Sequence, residues 1–526
     1  MIKIELTQNK GYHWFSDGTV FVKGSARLDN GNILREADLL AYFNNTFSEN
    51  EFVSKLNALN GLFSVVIKTE NEILAAVDRV RNFPLLYHFD NNAFEIADYY
   101  KSIINKYAEI DPHSETAMRY IGWVPGRKTL LKDIFQIQAG EYLIFKNNKI
   151  ETKFWFQTNP TIKNSLSKND WKKEIRKEFF DIGKRLSAMI GNRPVVLPLS
   201  GGYDSRMIAL LLKLNNHKNV TCFTFGDKTN KEAVISEKIA KKLNYPWVFI
   251  DYTPFTKTDF TQSQLFNDYV DFTANAISFP FLTFYFAIKE LKEKYKIPSE
   301  TIFIPGHSGD TIGGAHFFPD LKNIRSKKEL AEKIFRIYCQ LIRSNKKEKE
   351  LLLQMLENNM DELRIECGLC AYDDWEIQEF QTKQLVNSAN IFTFFGYEYL
   401  LPLSDKHYFN IFALLPLKYR AFKKLHNEVS KEIFSEYDIL LEDEVSLSQR
   451  MRKYSYYKLR LKEVIPNFCN LSKLKKRTYT PSFYLSDQFL KLIDKELPKY
   501  EYKNGNALLS AWYIKHLTEQ INNRNM

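Results

Sequence analysis

A chain of 526 residues is long enough for two domains with well-buried cores. Its 44% hydrophobic and 15% aromatic content excludes a disordered polymer. The net charge of +11 does not mark a nucleic-acid binder, because Lys and Glu interleave along helical stretches such as 326–357 and no aromatic-basic RNA motif accompanies them.

Residues 1–155 are predicted to form short strands and helices joined by tight turns. Strand-like runs lie at 63–67, 73–77 and 142–145, the last closed by the turn Lys-Asn-Asn-Lys at 146–149. The opening Met-Ile-Lys-Ile-Glu lacks signal-peptide character, and the most apolar window, 277–288, is too short to span a bilayer and contains Pro280. No membrane span and a cytoplasmic location are therefore expected. Five scattered cysteines, an odd number, predict reduced thiols. Cys367 and Cys370 have C-x-x-C spacing but no second ligand pair, so zinc is not expected.

A polar connector at 157–170 leads into a basic amphipathic helix predicted over 171–190. The run Val-Val-Leu-Pro-Leu at 195–199 then ends in Ser-Gly-Gly-Tyr-Asp-Ser, residues 200–205, followed by a helical pattern. Strand, glycine turn and helix start together make an anion site. Gly201 and Gly202 let backbone N–H groups curl around phosphate oxygens, and the helix N-terminus adds its positive end. Ser200 and Ser205 can donate hydroxyls to the same oxygens, and Asp204 can hold Mg²⁺ against them. No Gly-Lys-Ser/Thr follows, which excludes a Walker A loop. An ordinary βα turn with a structural glycine pair is the alternative.

Further βα units are predicted, with strands at 220–226 and 247–251 and a helix at 232–243. This alternation implies a parallel sheet with ligands at the carboxyl ends of its strands. A second strand-to-glycine-loop element, 301–314, carries Asp310. Two aspartates on different loops, Asp204 and Asp310, could hold Mg²⁺ on a triphosphate; for Asp310 the alternative is a turn or helix-cap residue. Beyond about 320 the chain reads as mostly helical.

Residues 199–205 resemble the pyrophosphate-binding loop of the N-type ATP pyrophosphatases, and the rest of the chain is similar to the asparagine synthetase family. Residues 301–314 resemble that family's Ser-Gly-x-Gly-x-Asp-Glu loop, with Thr311 in place of Glu. Residues 396–405 resemble its Gly-x-Glu-x-Arg-x-Pro-Phe-x-Asp motif, with Leu400 in place of Arg. Segments around 59–63, 78–79, 84–87, 96–98 and 122–142 resemble the late part of a class II glutamine amidotransferase domain and the passage leading out of it.

The resemblance implies an N-terminal α+β, Ntn-hydrolase-like domain over 1–155. Over 156–526 it implies an α/β synthetase domain, a parallel sheet flanked by helices with a helical C-terminal part. It implies ATP and Mg²⁺, with Leu199, Ser200, Gly201, Gly202, Asp204, Ser205, Phe225, Gly226, Pro305 and Gly306 around the nucleotide and Asp204 and Asp310 on the metal. It implies a charge-stabilising lysine, Lys423 or else Lys424, with Lys453 and Lys458 further choices. In β-lactam synthetases a tyrosine paired with the motif glutamate takes a proton from the amine; His307 and Glu398 stand at those positions. Family amidotransferase domains use an N-terminal cysteine, whereas Ile2 stands here and the earliest cysteine is Cys222. The implied reaction adenylates a small-molecule, sugar-acid or peptide carboxylate, releases pyrophosphate and joins the acyl group to an amine or ammonia, without glutaminase activity and without nucleic acid as partner. A thiolation enzyme using the same loop and a nucleotide-binding scaffold are the other classes. The oligomeric state is not legible.

Overall fold

The computed structural model describes all residues except 47, 91–92, 105–107, 159–165, 228–229, 256–257, 344, 361–362, 364–366, 442–501, 503 and 526, and the side chains of 524 and 525. Lys453 and Lys458, and the middle of the predicted connector, lie outside the described residues.

Alternating apolar residues build two sheets in the first 155 residues. The strands are β1 Ile2–Glu5, β2 Trp14–Ser16, β3 Val20–Arg27, β4 Ile33–Arg35, β5 Asn60–Lys68, β6 Glu72–Val77, β7 Leu86–Phe89, β8 Phe94–Ala97, β9 Phe135–Gln136, β10 Glu141–Lys146 and β11 Lys149–Phe154. The larger sheet runs β11-β10-β6-β5-β3-β2 with β4 beside β3, and the smaller runs β1-β8-β7-β9. One core lies between them, where Val66, Ile73 and Ala75 meet Leu85, Phe94 and Ile96. The opposite face of the larger sheet buries Phe63 and Val65 against Phe43, Phe52 and Leu56 of two short helices. The turn joining β10 to β11 places Asn147 at φ 52° and Asn148 at φ 56°, the paired left-handed conformation of a type I′ hairpin.

The second half is built on a parallel sheet. Its strands are β12 Val195–Pro198, β13 Val220–Gly226, β14 Trp247–Asp251, β15 Ile302–Phe303 and β16 Glu398–Tyr399, ordered β14-β13-β12-β15-β16. Every neighbouring pair is parallel. Before it runs α1 (Lys168–Ile190), started by a capping box between Ser167 and Asp170. The helix α2 (Tyr203–Leu214) follows β12, and its residues Met207 through Leu212 are buried on every face. This is an α/β fold. Strand β16 was not foreseen, because two edge residues carry no readable period. The stretch 326–357 forms two helices, Lys327–Tyr338 and Lys346–Asn358.

The two halves share buried contacts. Tyr12 and Leu62 belong to the same core as Leu197 and Tyr399. The Lys383 ammonium, itself buried, donates to the carbonyls of Val124 (3.0 Å) and Gly126 (2.8 Å) and to both oxygens of Glu379 (2.9 Å). Burial pushes that ammonium down to about 8.

One expectation needs correction. The cysteines are not all reduced: Cys367 and Cys370 form a disulfide, because the first turn of a helix, α4 (Gly368–Glu376), brings residues three apart onto one side. Cys222 and Cys339 are buried free thiols. Among the described residues no helix is long and apolar enough to cross a membrane.

Candidate active site

The first glycine loop is shaped by its own serines. The amide of Ser200 donates to Ser205 Oγ (3.1 Å), the two hydroxyls lie 3.1 Å apart, and the amide of Gly202 donates to Ser200 Oγ (3.1 Å). Thr224 Oγ1 donates to the Leu199 carbonyl (2.6 Å), and Arg206 Nη2 donates to the Gly201 carbonyl (3.0 Å). The loop is thereby tied to β13 on one side and to α2 on the other. Gly202 caps α2, and Asp204 stands in its first turn.

The second loop packs directly on the first, and two glycines make that possible. A Cβ at Gly309 would lie 2.5 Å from Asp204 Cγ and 2.7 Å from both its oxygens; one at Gly306 would lie 3.0 Å from the Ser205 amide nitrogen. Gly309 opens the short helix α3 (Gly309–Gly313) that carries Asp310. Pro305 and Gly306 connect β15 to this helix. Gln381 Nε2 donates to Ser308 Oγ (2.6 Å), which steadies the loop from outside. Gln381 lies on the π-helix Ile377–Val386 that continues α4.

Lys423 completes the cluster. Its ammonium lies 2.5 and 2.6 Å from the two oxygens of Asp204 and 3.0 Å from Asp310 Oδ1. It is only 4% exposed. It reaches this position through a backbone kink, with Phe422 at φ 58° and Lys423 at φ 59° before α5 (Lys424–Glu436) begins. Two consecutive left-handed non-glycine residues cost about 1–3 kcal/mol each and persist only where their surroundings fix them. Here the Phe422 amide donates to the Phe317 carbonyl and the Lys423 amide to the Gly314 carbonyl, both at 3.1 Å. Arg420 anchors the approach: it makes a buried bidentate pair with Asp373 (2.6 and 2.9 Å) and donates to the Ile312 carbonyl (3.2 Å).

Thus Ser200, Gly201, Gly202, Asp204, Ser205, Gly306, Asp310 and Lys423 come together. Phe225 and Gly226 lie at the carboxyl end of the neighbouring β13. The Phe225 ring stacks on Tyr252 at 5.0 Å, and the Phe284 ring contacts both Phe225 on β13 (5.3 Å) and His307 on the second loop (6.1 Å).

Other expectations are corrected. Lys424 is exposed on the first turn of α5, away from the carboxylates Lys423 binds. Glu398 does not meet His307. The register pairs Glu398 with Ile302, five residues before His307, so it stands at the amino end of the parallel strands. There it binds Arg193 (2.5 Å) and approaches Arg35 (3.9 Å). His307 is half-buried, with its Nδ1 buried and unpartnered among the described residues, and burial pushes the imidazole down to about 4, too weakly basic for proton abstraction near neutrality.

The sequence reading also missed residues. His426 Nε2 lies 3.5 Å from Asp204 Oδ1, and burial, reinforced by the Lys423 charge, holds its imidazole well below the usual histidine range. Among the described residues, Tyr408 Oη, Thr311 Oγ1 and His426 Nε2 are buried without a hydrogen-bond partner. The charges of Asp204 and Asp310 raise the Tyr408 phenol further above its burial-raised value, which places that ring near them. His426 follows Lys423 at helical spacing, a signal the sequence did offer; Tyr408 gave none. Orphaned buried polar atoms beside paired carboxylates mark a place built to receive a polar ligand. Two hard oxygen donors converging on one cationic group also suit Mg²⁺.

Residues 186–480, more than half the chain, match the family model described as asparagine synthase. A Methanocaldococcus jannaschii protein named as a candidate glutamine-hydrolysing asparagine synthetase is 24% identical over 317 residues, 55% of this chain and 58% of that protein. The chain thus spans under two thirds of that relative. Among solved structures, an NH3-dependent NAD synthetase from Campylobacter jejuni overlaps 29% of this chain and 64% of its own, at 21% identity and TM-score 0.19. A glutamine phosphoribosylpyrophosphate amidotransferase from B. subtilis overlaps 57% and 59%, at 11% identity and TM-score 0.18. Such scores describe partial overlap and not a shared whole fold.

Proposed function

The chain belongs to the asparagine synthase family, and from that premise we propose that it is an ATP-dependent carbon–nitrogen ligase. It would join an activated carboxylate to an amine or ammonia, forming AMP and pyrophosphate. The observation that carries this reading is the convergence of Asp204, from one glycine loop, and Asp310, from the other, on the buried Lys423 ammonium.

In this reading the triphosphate of ATP would lie over the first loop and the start of α2, with its base toward Phe225 and Gly226 at the end of β13. Asp204 and Asp310 would hold Mg²⁺, which supplies charge neutralisation on the phosphate oxygens. The loop serines, which accept from the Ser200 and Gly202 amides, fix the turn, and their hydroxyls would donate to the pyrophosphate oxygens. The substrate carboxylate attacks the α-phosphorus and pyrophosphate departs. Lys423, fixed by its kink and by Arg420, would stabilise negative charge that develops on the phosphate oxygens once they take a place among its present carboxylate partners. The nitrogen nucleophile then attacks the acyl carbon and AMP leaves. The chain's role is positioning and electrostatics, with no covalent enzyme intermediate.

We also propose that residues 1–155 form an Ntn-hydrolase-like domain that does not hydrolyse glutamine, since those residues contain no cysteine. The test is exchange of labelled pyrophosphate into ATP in the presence of candidate carboxylic acids. Exchange that depends on the carboxylate supports the reading, and failure across sugar acids, amino acids and peptides refutes it.

A further inference from the structure

The Cys367–Cys370 pair stands outside the site just described but joins it through one helix. Its position favours exchange over stapling. A bridge between residues three apart closes a very short loop and removes little chain entropy on cross-linking, so it is a weak stabiliser. Cys367 caps α4: the Cys370 amide donates to Cys367 Sγ (3.3 Å), so a Cys367 thiolate would meet a backbone N–H and the positive end of the helix. Cys367 is half-buried while Cys370 is buried, which leaves the capping cysteine the more accessible of the two.

The helix this bridge begins reaches the second glycine loop directly at Ser308, through Gln381, and indirectly through Arg420, which donates to the Ile312 carbonyl. Asp373, one turn beyond Cys370, pairs with Arg420, the anchor of the Lys423 kink. The buried Glu376 carboxylate bonds His316, just beyond α3, and accepts from Tyr338 Oη at 2.9 Å. Gln381, five residues beyond Glu376, bonds Ser308. The i to i+5 spacing of a π-helix stacks such residues on one face, which an α-helix would not. Gly368 fixes the start of α4 closely against Ile324, whose carbonyl would lie 2.6 Å from an added Cβ.

We propose that Cys367 and Cys370 form a thiol–disulfide exchange site for a dithiol reductant protein, and that its redox state sets how firmly α4 and the π-helix continuing it hold the second loop and Arg420. A thiolate of the reductant attacks Cys367 Sγ, the Sγ–Sγ bond breaks, and Cys370 leaves as a thiolate that takes a proton. The second thiol of the reductant then attacks its own sulfur in the mixed disulfide and releases Cys367 as the helix-capping thiolate. Two electrons pass to this chain, and the reductant leaves as its disulfide.

The effect on catalysis rests on the ligase reading, but the exchange chemistry and the loop's response do not. Wild-type protein is equilibrated with glutathione buffers of graded ratio, alkylated, and the peptide holding both cysteines is weighed. Reversible interconversion is expected, and a pair that stays in one state at every ratio overturns the proposal. Cys370→Ser should trap glutathione on Cys367, and failure to trap it while a small alkylating reagent still labels Cys367 overturns the order of attack. Amide hydrogen exchange over Gly309–Gly313 should quicken at least threefold on reduction and recover on reoxidation of the same sample; identical exchange in the two states overturns the coupling. Pyrophosphate exchange should fall at least fivefold on reduction and recover likewise. If it is absent in both states while thiols and loop respond as stated, the ligase reading fails and the exchange site stands.

Discussion

Replacing Gly309 with Ala probes the contact between the two loops at its tightest point. The new methyl carbon would lie 2.5 Å from Asp204 Cγ and 2.7 Å from both carboxylate oxygens. Ordinary van der Waals contact between carbons begins near about 3.5 Å, so the carboxylate or the α3 backbone must retreat by about 1 Å. Neither is free to do so, because the carboxylate is held by Lys423 at 2.5 and 2.6 Å. Overpacking of this kind costs about 1–3 kcal/mol of stability, whereas a displacement of about 1 Å among catalytic groups costs on the order of 100-fold in rate. Gly309→Ala should therefore keep a cooperative thermal transition near that of the wild type while carboxylate-dependent pyrophosphate exchange falls about 100-fold. Exchange within threefold of wild type would show that the Asp204 position is not part of the machinery, and the two-loop account would be wrong.

Other consequences are equally direct. Lys423→Met should lower pyrophosphate exchange by at least about 100-fold, while Lys424→Ala, at an exposed neighbour, should stay within twofold; similar losses in both would contradict the placement of the kink. His307 titrates near 4 in the folded chain against 6.5 unfolded. Between those values the unfolded chain binds the extra proton, so the contribution of the neutral ring is complete above about pH 6.5 and is lost as pH falls toward 4. Urea unfolding of wild type and His307→Gln from pH 4 to 7 should show a stability difference that varies by at most about 3 kcal/mol in that direction; a difference flat with pH rejects the lowered titration of this ring. The chain should release no glutamate from glutamine with or without ATP, because residues 1–155 contain no cysteine and burial pushes the Cys222 thiol up to about 12; stoichiometric release would reveal a nucleophile of another kind.

The two glycine loops were legible because everything that defines them is local: an apolar run, glycines, and a helix start within a dozen residues. The parallel sheet followed from alternation. Glu398 was misplaced because motif spacing says nothing about register, and it is the Ile302–Glu398 pairing that carries the residue to the amino end of the strands. Helical register favours Lys423 over Lys424, yet the structure selects it through a left-handed kink that no periodicity announces. The His426–Asp204 approach and the Arg420–Asp373 pair were illegible for a further reason. Their partners lie tens to hundreds of residues away, and only the packed chain shows which buried polar atoms face one another.

The central claim is that two glycine loops and Lys423 form an adenylation centre. It is tested most directly by labelled pyrophosphate exchange into ATP with the wild type, Asp204→Asn and Asp310→Asn, across a panel of carboxylic acids. The account predicts exchange that needs one class of carboxylate and Mg²⁺, and that falls at least about 100-fold in both variants while their thermal transitions persist. Exchange that proceeds undiminished in either variant would contradict it.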